Sequence, residues 1–166
     1  MIVIVMGVSG AGKTTVGESL ARRLGWPFKE GDDFHPPANV EKMRSGQPLD
    51  DTDRDPWLEA IGAFIDEQSA SDKDWVLSCS ALKRAYREQL RHGRKAVRFV
   101  FLEGSQALIA RRIESRRHAY MPASLLASQF ADLEPPGPDE GALRVDVSQS
   151  IDSMVGEIIA GLGLGQ

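Results

Sequence analysis

The chain opens on Ile2-Val3-Ile4-Val5-Met6, an unbroken and mostly β-branched apolar run, the pattern of a parallel strand covered on both faces. It predicts the central strand of a sheet. A glycine-rich turn from Gly7 to Gly12 follows, and from Lys13 the residues Val16, Leu20, Ala21 and Leu24 recur at helical spacing until Gly25 ends the pattern. Trp26 to Glu30 is a weaker strand pattern, and Pro36-Pro37 blocks its continuation while permitting a short helix through Val40 and Met43. Thr52 or Asp53 can cap a longer helix with Pro56 in its first turn, Trp57, Ile61, Phe64 and Ile65 on one face, and an end near Ser69.

Further along, Trp75 to Cys79 predicts a strand, Leu82 to Leu90 a helix and Val97 to Leu102 a strand. Ala107 to Ser115 and Ser124 to Leu133 predict two helices, with a charged connection over Arg116 to Pro122. After a Pro/Gly loop over Glu134 to Gly141 come a last strand, Leu143 to Val147, and a closing helix, Ile151 to Leu162. Strands and helices alternating in this way imply a three-layer α/β domain with a mainly parallel sheet and right-handed crossovers. Ligands of such sheets bind at the carboxyl ends of the strands.

Length and charge narrow the classes. The 166 residues suit one domain over the whole chain. A formal net charge of −4 argues against a general nucleic-acid coat, which needs a broad excess of Lys and Arg. Eleven of the 20 basic residues nevertheless fall between Lys83 and Arg117, opposed by Glu88, Glu103 and Glu114 alone, so the middle of the chain is electropositive. Cys79 is the single cysteine, which removes any intrachain disulfide and suits a reducing, cytoplasmic setting. The N-terminal apolar run lacks a basic flank and is far too short to span a bilayer, so no membrane partner is expected.

Gly7-Val8-Ser9-Gly10-Ala11-Gly12-Lys13-Thr14 fits G-x-x-x-x-G-K-[ST] between an apolar strand and a helix, where its mechanism requires it. Glycines let backbone N–H groups curl around phosphate oxygens, the helix N-terminus adds a favourable dipole, Lys13 reaches the β- and γ-phosphates, and Thr14 can ligate Mg²⁺. No Asp-x-x-Gly and no Asn-Lys-x-Asp occurs, which disfavours a GTPase switch. The strand at Trp75 ends in Ser-Cys-Ser without a carboxylate, so Asp32 or Asp33, at the tip of the second strand, is the candidate acid for metal and acceptor hydroxyl. His35 beside them is either a substrate contact or a loop residue bonded to backbone. Asp50 and Asp51 read as a solvated helix cap, whereas Asp53 and Arg54 offer an acceptor and a guanidinium to a polyhydroxylated acid. Arg116, Arg117 and His118 precede a Pro-bounded helix, the arrangement of a lid over about 112–135 that brings cations over phosphates and excludes water.

Together these residues resemble the thermoresistant gluconokinase family, in the shikimate-kinase-like branch of P-loop kinases. The match runs through Gly31-Asp32, His35-Pro36, Asn39, Lys42-Met43, Gly46, Pro48-Leu49, Asp53-Arg54 and Pro56-Trp57-Leu58. It continues through Cys79-Ser80-Ala81-Leu82-Lys83, Tyr86-Arg87, Gln129-Phe130 and Leu133-Glu134. The resemblance implies a P-loop NTPase fold with a five-stranded sheet in the order 2-3-1-4-5, a helical lid, a homodimer, and ATP- and Mg²⁺-dependent phosphorylation of D-gluconate at its 6-hydroxyl. Carried over by position, Lys13, Asp32 and Arg116 are the candidate catalytic residues. Gly7, Ser9, Gly10, Ala11, Gly12, Lys13, Thr14, Thr15, Arg112 and Arg116 would hold the nucleotide, and Thr14 and Asp32 the metal. Asp32, His35, Arg54, Ser80, Lys83, Arg87 and Gln129 would hold the acceptor. The chain departs from the family at Ala119, where a histidine is usual, and at Asp33, so the choice between Asp32 and Asp33 as base stays open. Competing readings are a shikimate kinase, a nucleotide kinase and a non-catalytic ATP-binding module; the first lacks its glycine-rich turn here, at Ser78 to Ala81.

Overall fold

The computed structural model describes residues 1–115 and 123–165. Five strands, β1 (Ile2–Met6), β2 (Phe28–Glu30), β3 (Trp75–Ser78), β4 (Val97–Glu103) and β5 (Leu143–Asp146), pair in parallel in the order β2-β3-β1-β4-β5. This is the P-loop kinase order that the resemblance implied. β1 lies in the middle, and all five of its residues are buried, which is why its sequence carries no polar position.

Among the described residues, seven helices accompany the sheet: α1 (Lys13–Leu24), α2 (Pro37–Arg44), α3 (Asp51–Ala70), α4 (Arg84–Arg91), α5 (Gln106–Ser115), α6 (Ala123–Asp132) and α7 (Ile151–Leu162). Successive residues of a strand point to opposite faces, and β1 divides accordingly. Val3 and Val5 join Val16 and Leu20 of α1 and Val155 and Ile158 of α7 in one core. Ile2, Ile4 and Met6 join Trp57, Ile61 and Ile65 of α3 and Leu90 of α4 in the other. Burying one such side chain is worth about 1.5–3 kcal/mol relative to leaving it in water, so the two cores hold the sheet as the middle of three layers.

Two boundaries differ from the sequence pattern for identifiable reasons. α3 starts earlier than Thr52 or Asp53 would allow, because Asp50 is its cap: the Asp53 N–H donates to Asp50 Oδ1 at 2.7 Å and the Asp50 N–H returns to Asp53 Oδ2 at 2.9 Å. That reciprocal pair moves Pro56 into the second turn. β2 is confined to three residues, after which Gly31 to Phe34 tighten into a 3₁₀ turn. Glycine is required at 31, since a Cβ there would lie 2.0 Å from the Ser78 carbonyl oxygen. The turn is tied down by Trp57, whose Nε1–H donates to the Gly31 carbonyl at 2.8 Å. The tips of β1, β2 and β3 therefore end close together, tied by the bonds Cys79 N–H to the Val5 carbonyl and Gly31 N–H to Ser78 Oγ.

Candidate active site

The glycine loop leaves β1 through three glycines in positive φ, Gly7 at 147°, Gly10 at 82° and Gly12 at 100°, conformations that L side chains rarely adopt. Space is as tight as the backbone: a Cβ on Gly10 would meet Ile113 of α5 at 2.7 Å. α1 then begins at Lys13 with no acid in its first turn and no side-chain cap, leaving its free N–H groups available to an anion. Lys13 folds back along the loop, donating from Nζ to the Val8 carbonyl at 3.0 Å. Burial lowers its pKa, while Asp32 and then Glu30 oppose that shift and favour the ammonium.

Two cavities flank this loop. One of about 330 Å³ is lined by Gly10, Gly12, Thr15 and Arg112 together with Gln149 and Ser150. Arg112 is fixed there by donating from Nη2 to the Val147 carbonyl. The other, about 570 Å³, holds Ser9, Lys13, Asp32, His35, Arg54, Ser80 and Gln129, which come from well-separated stretches of the chain. Val40, Met43, Leu49, Trp57 and Leu125 form its apolar wall. Small-molecule sites combine such a wall with a few convergent polar groups.

Of the two adjacent acids, Asp32 faces this cleft, whereas Asp33 is outside it, with Oδ2 3.7 Å from Lys29 Nζ. His35 lies beneath Asp32. Its ring stacks on Trp57, with centroids 4.5 Å apart and planes 11° from parallel, and its Nε2 is 3.9 Å from Asp32 Oδ1. Asn39 Nδ2 donates to His35 Nδ1 at 3.2 Å and to the Asp53 carbonyl at 2.7 Å. With Nδ1 accepting, the neutral ring carries its hydrogen on Nε2 and presents it as a donor on the Asp32 side. Burial, reinforced by the Arg54 charge, pushes the His35 pKa down to about 4.

That depression has a sign in stability. An unfolded histidine takes up its proton near pH 6.5 and the folded one only near 4. His35 therefore costs nothing above pH 6.5, and stability falls as the pH drops from 6.5 towards 4. We expect His35→Gln to flatten the Tm profile over that window, measured by thermal unfolding at fixed ionic strength; an unchanged slope would remove His35 as its source.

Other sequence candidates occupy different places. The resemblance implies an acceptor ligand at Arg87, but this residue is 1% exposed and all five of its N–H donors are used. Nε and Nη2 donate to Glu140 at 2.6 and 3.0 Å, Nη1 to the Ala81 and Leu82 carbonyls at 2.9 and 3.0 Å, and Nη2 also to the Glu134 carbonyl at 2.9 Å. None is left for a substrate. Lys83 is also absent from the cleft lining, its Nζ donating to Asp51 Oδ1 at 2.9 Å. Asp53 is taken by the α3 cap and by Lys42, 2.6 Å away. Arg116, with Arg117 and His118, lies outside the described residues.

Glu30, which the sequence pattern does not single out, adjoins the glycine loop. It is the last residue of β2, where Thr14 Oγ1 donates to its Oε2 at 2.5 Å and Ser78 Oγ to its Oε1. Its position at a strand tip beside the glycine loop was the available signal. Arg44, on the last turn of α2, also lines the cleft. Cys79 is buried, and burial pushes its thiol up to about 12, which leaves it protonated and inert.

A profile of the AAA-domain family matches residues 2–136. A gluconokinase of Gluconobacter oxydans (strain 621H) is 53% identical over 94% of this chain and 88% of its own. The thermoresistant gluconokinase of Escherichia coli (strain K12) is 39% identical over 95% of this chain and 91% of its own. The crystal structure of a gluconokinase from Sinorhizobium meliloti 1021 superposes with a TM-score of 0.87 at 48% identity, covering 97% of this chain and 90% of that one. Identity of this extent, on one continuous P-loop kinase fold, settles the family: the chain belongs to the gluconokinases.

Proposed function

We propose that this protein transfers the γ-phosphoryl group of ATP to the 6-hydroxyl of D-gluconate, yielding 6-phospho-D-gluconate. One observation carries the reading: Lys13 of the phosphate loop and the acid Asp32 line the same cleft, among polar groups suited to a polyol acid. Phosphoryl transfer asks little covalent chemistry of a protein, and positioning plus charge stabilisation supply most of the acceleration. The loop amides and Lys13 hold the transferring phosphate. Asp32 orients the 6-hydroxyl and takes its proton as the new P–O bond forms and the bond to ADP breaks. His35, Ser80 and Gln129 offer donors and acceptors to the sugar-acid hydroxyls, and Arg54 a guanidinium on the same wall.

The donor set also suits Mg²⁺, which prefers oxygen ligands: Thr14 with Asp32 is the expected pair, and the Thr14–Glu30 bond adds a second carboxylate beside it. Bound there, Mg²⁺ would neutralise charge on the β- and γ-phosphates. The 330 Å³ cavity with Thr15 and Arg112 is then the nucleoside side of ATP. The same reading takes the chain as a single kinase domain acting as a cytoplasmic homodimer, which sedimentation of the purified protein checks. Among the described residues no helix is long and apolar enough to cross a membrane.

ADP release measured with gluconate, shikimate and AMP as alternative acceptors tests the assignment. Gluconate-dependent turnover is expected. Turnover on shikimate or AMP instead would select a rival kinase, and ATP binding without any acceptor-stimulated turnover would select the non-catalytic module. Asp32→Asn is expected to lower kcat by about 10², the usual scale for losing a positioned base, a far larger effect than on ATP affinity. Parallel loss of ATP affinity would assign Asp32 to the metal alone.

A further inference from the structure

The gluconate reading uses α6 only through Gln129 in the acceptor cleft, although the helix is bonded to both halves of the site. Gln129 and Asp132 are three residues apart and so share one face of the helix. Gln129 Oε1 accepts the Ser9 backbone N–H at 2.7 Å, a bond from the phosphate loop to a residue 120 positions away. Asp132 Oδ2 accepts from both Nη1 and Nη2 of Arg54 at 3.1 Å, and Arg54 lines the acceptor cleft at 7% exposure. The helix is also anchored at its C-terminal end. Glu134 donates its N–H to the Leu82 carbonyl at 2.8 Å and accepts from Arg87 Nη2 at 2.9 Å.

We propose, building on that reading, that α6 couples nucleotide binding to gluconate binding, with Gln129 and Asp132 as its positioning residues. Each ligand competes for a bond that α6 now holds. A phosphate oxygen in the loop takes the Ser9 N–H from the Gln129 carbonyl, and the amide must turn, bringing its Nε2 donors towards the anion. A carboxylate in the cleft draws on the Arg54 guanidinium and loosens its hold on Asp132. Because the same anchored helix carries both partners, a rearrangement made by one ligand is already in place for the other. Such coupling is reciprocal by thermodynamic necessity.

Calorimetric titration of gluconate, with and without a saturating non-hydrolysable ATP analogue and Mg²⁺, reads the coupling directly. The wild type should show about a tenfold ratio of gluconate Kd values, within the range usual for coupled sites. Gln129→Ala and Asp132→Asn should each reduce the ratio below about twofold, and the double variant should reduce it no further, since the two contacts act in series. Thermal unfolding accompanies each titration. A variant with lowered Tm but an intact ratio would make its residue merely structural and overturn the proposal. So would a wild type with no coupling while gluconate-dependent ADP release persists. Absence of that release in the wild type would instead remove the underlying gluconate reading.

Discussion

Replacing Lys13 with alanine is expected to lower kcat/KM for ATP by about 10³, because one lost charge or donor at a transferring phosphate costs that order. The ammonium is held over the loop by the Val8 carbonyl and sits between the loop and two carboxylates. Removing it leaves one cation fewer to offset the charge of Asp32 and Glu30 near the phosphate oxygens, and that adds repulsion to the lost attraction. The fold should survive: Lys13 is the first residue of α1, and the glycine turn is shaped by Gly7, Gly10 and Gly12. Unchanged far-UV circular dichroism with a three-decade loss in turnover is the expected result. Near-normal turnover by a folded variant would mean that the backbone amides alone stabilise the transferring group. Lys13→Arg should also be poor, since a planar fork cannot replace a point charge in so narrow a turn.

The glycine loop was legible in the sequence because its chemistry is local: the turn, the lysine and the helix start lie within eight consecutive residues. Sheet order came only through family resemblance, since pairing of β1 with β3 and β4 is a long-range fact that no window contains. Asp32 and Asp33 are alike in sequence, and what separates them is the rotation of the 3₁₀ turn that follows Gly31. That turn exists because Gly31 lets β2 approach Ser78 closely, a packing constraint invisible to propensity. Glu30 was passed over for the same reason. It reads as the end of a strand, and only the bonds from Thr14 and Ser78 bring it beside the glycine loop.

Two arginines show what a sequence window does not contain. Arg54 and Arg87 were equivalent as guanidiniums on helices, yet one lines the cleft and the other is locked in the interior. The deciding partner of Arg87, Glu140, sits 53 residues away in a Pro/Gly loop that pattern reading treats as a connection. Burial of a charge is permitted only with full pairing, so a buried arginine implies a buried acid somewhere, but not which one.

Arg87→Met should therefore act on stability rather than on gluconate binding. It strips Glu140, whose side chain is 4% exposed, of its cation and leaves the Gly137 N–H, at 2.8 Å, as its remaining donor. Removing one member of a buried pair costs about 3–5 kcal/mol, which for a chain of this size lowers Tm by about 10 °C. The carbonyls of Ala81, Leu82 and Glu134 lose donors as well, and Ala81 is held at φ 44°, a strained conformation that those bonds support. Adding Glu140→Met should recover part of the loss, because no unpaired carboxylate then remains, but not all of it, because the three carbonyls stay bare. Differential scanning calorimetry of both variants separates these contributions. Were Arg87 a substrate ligand, the single variant would instead keep its Tm and raise the KM for gluconate alone.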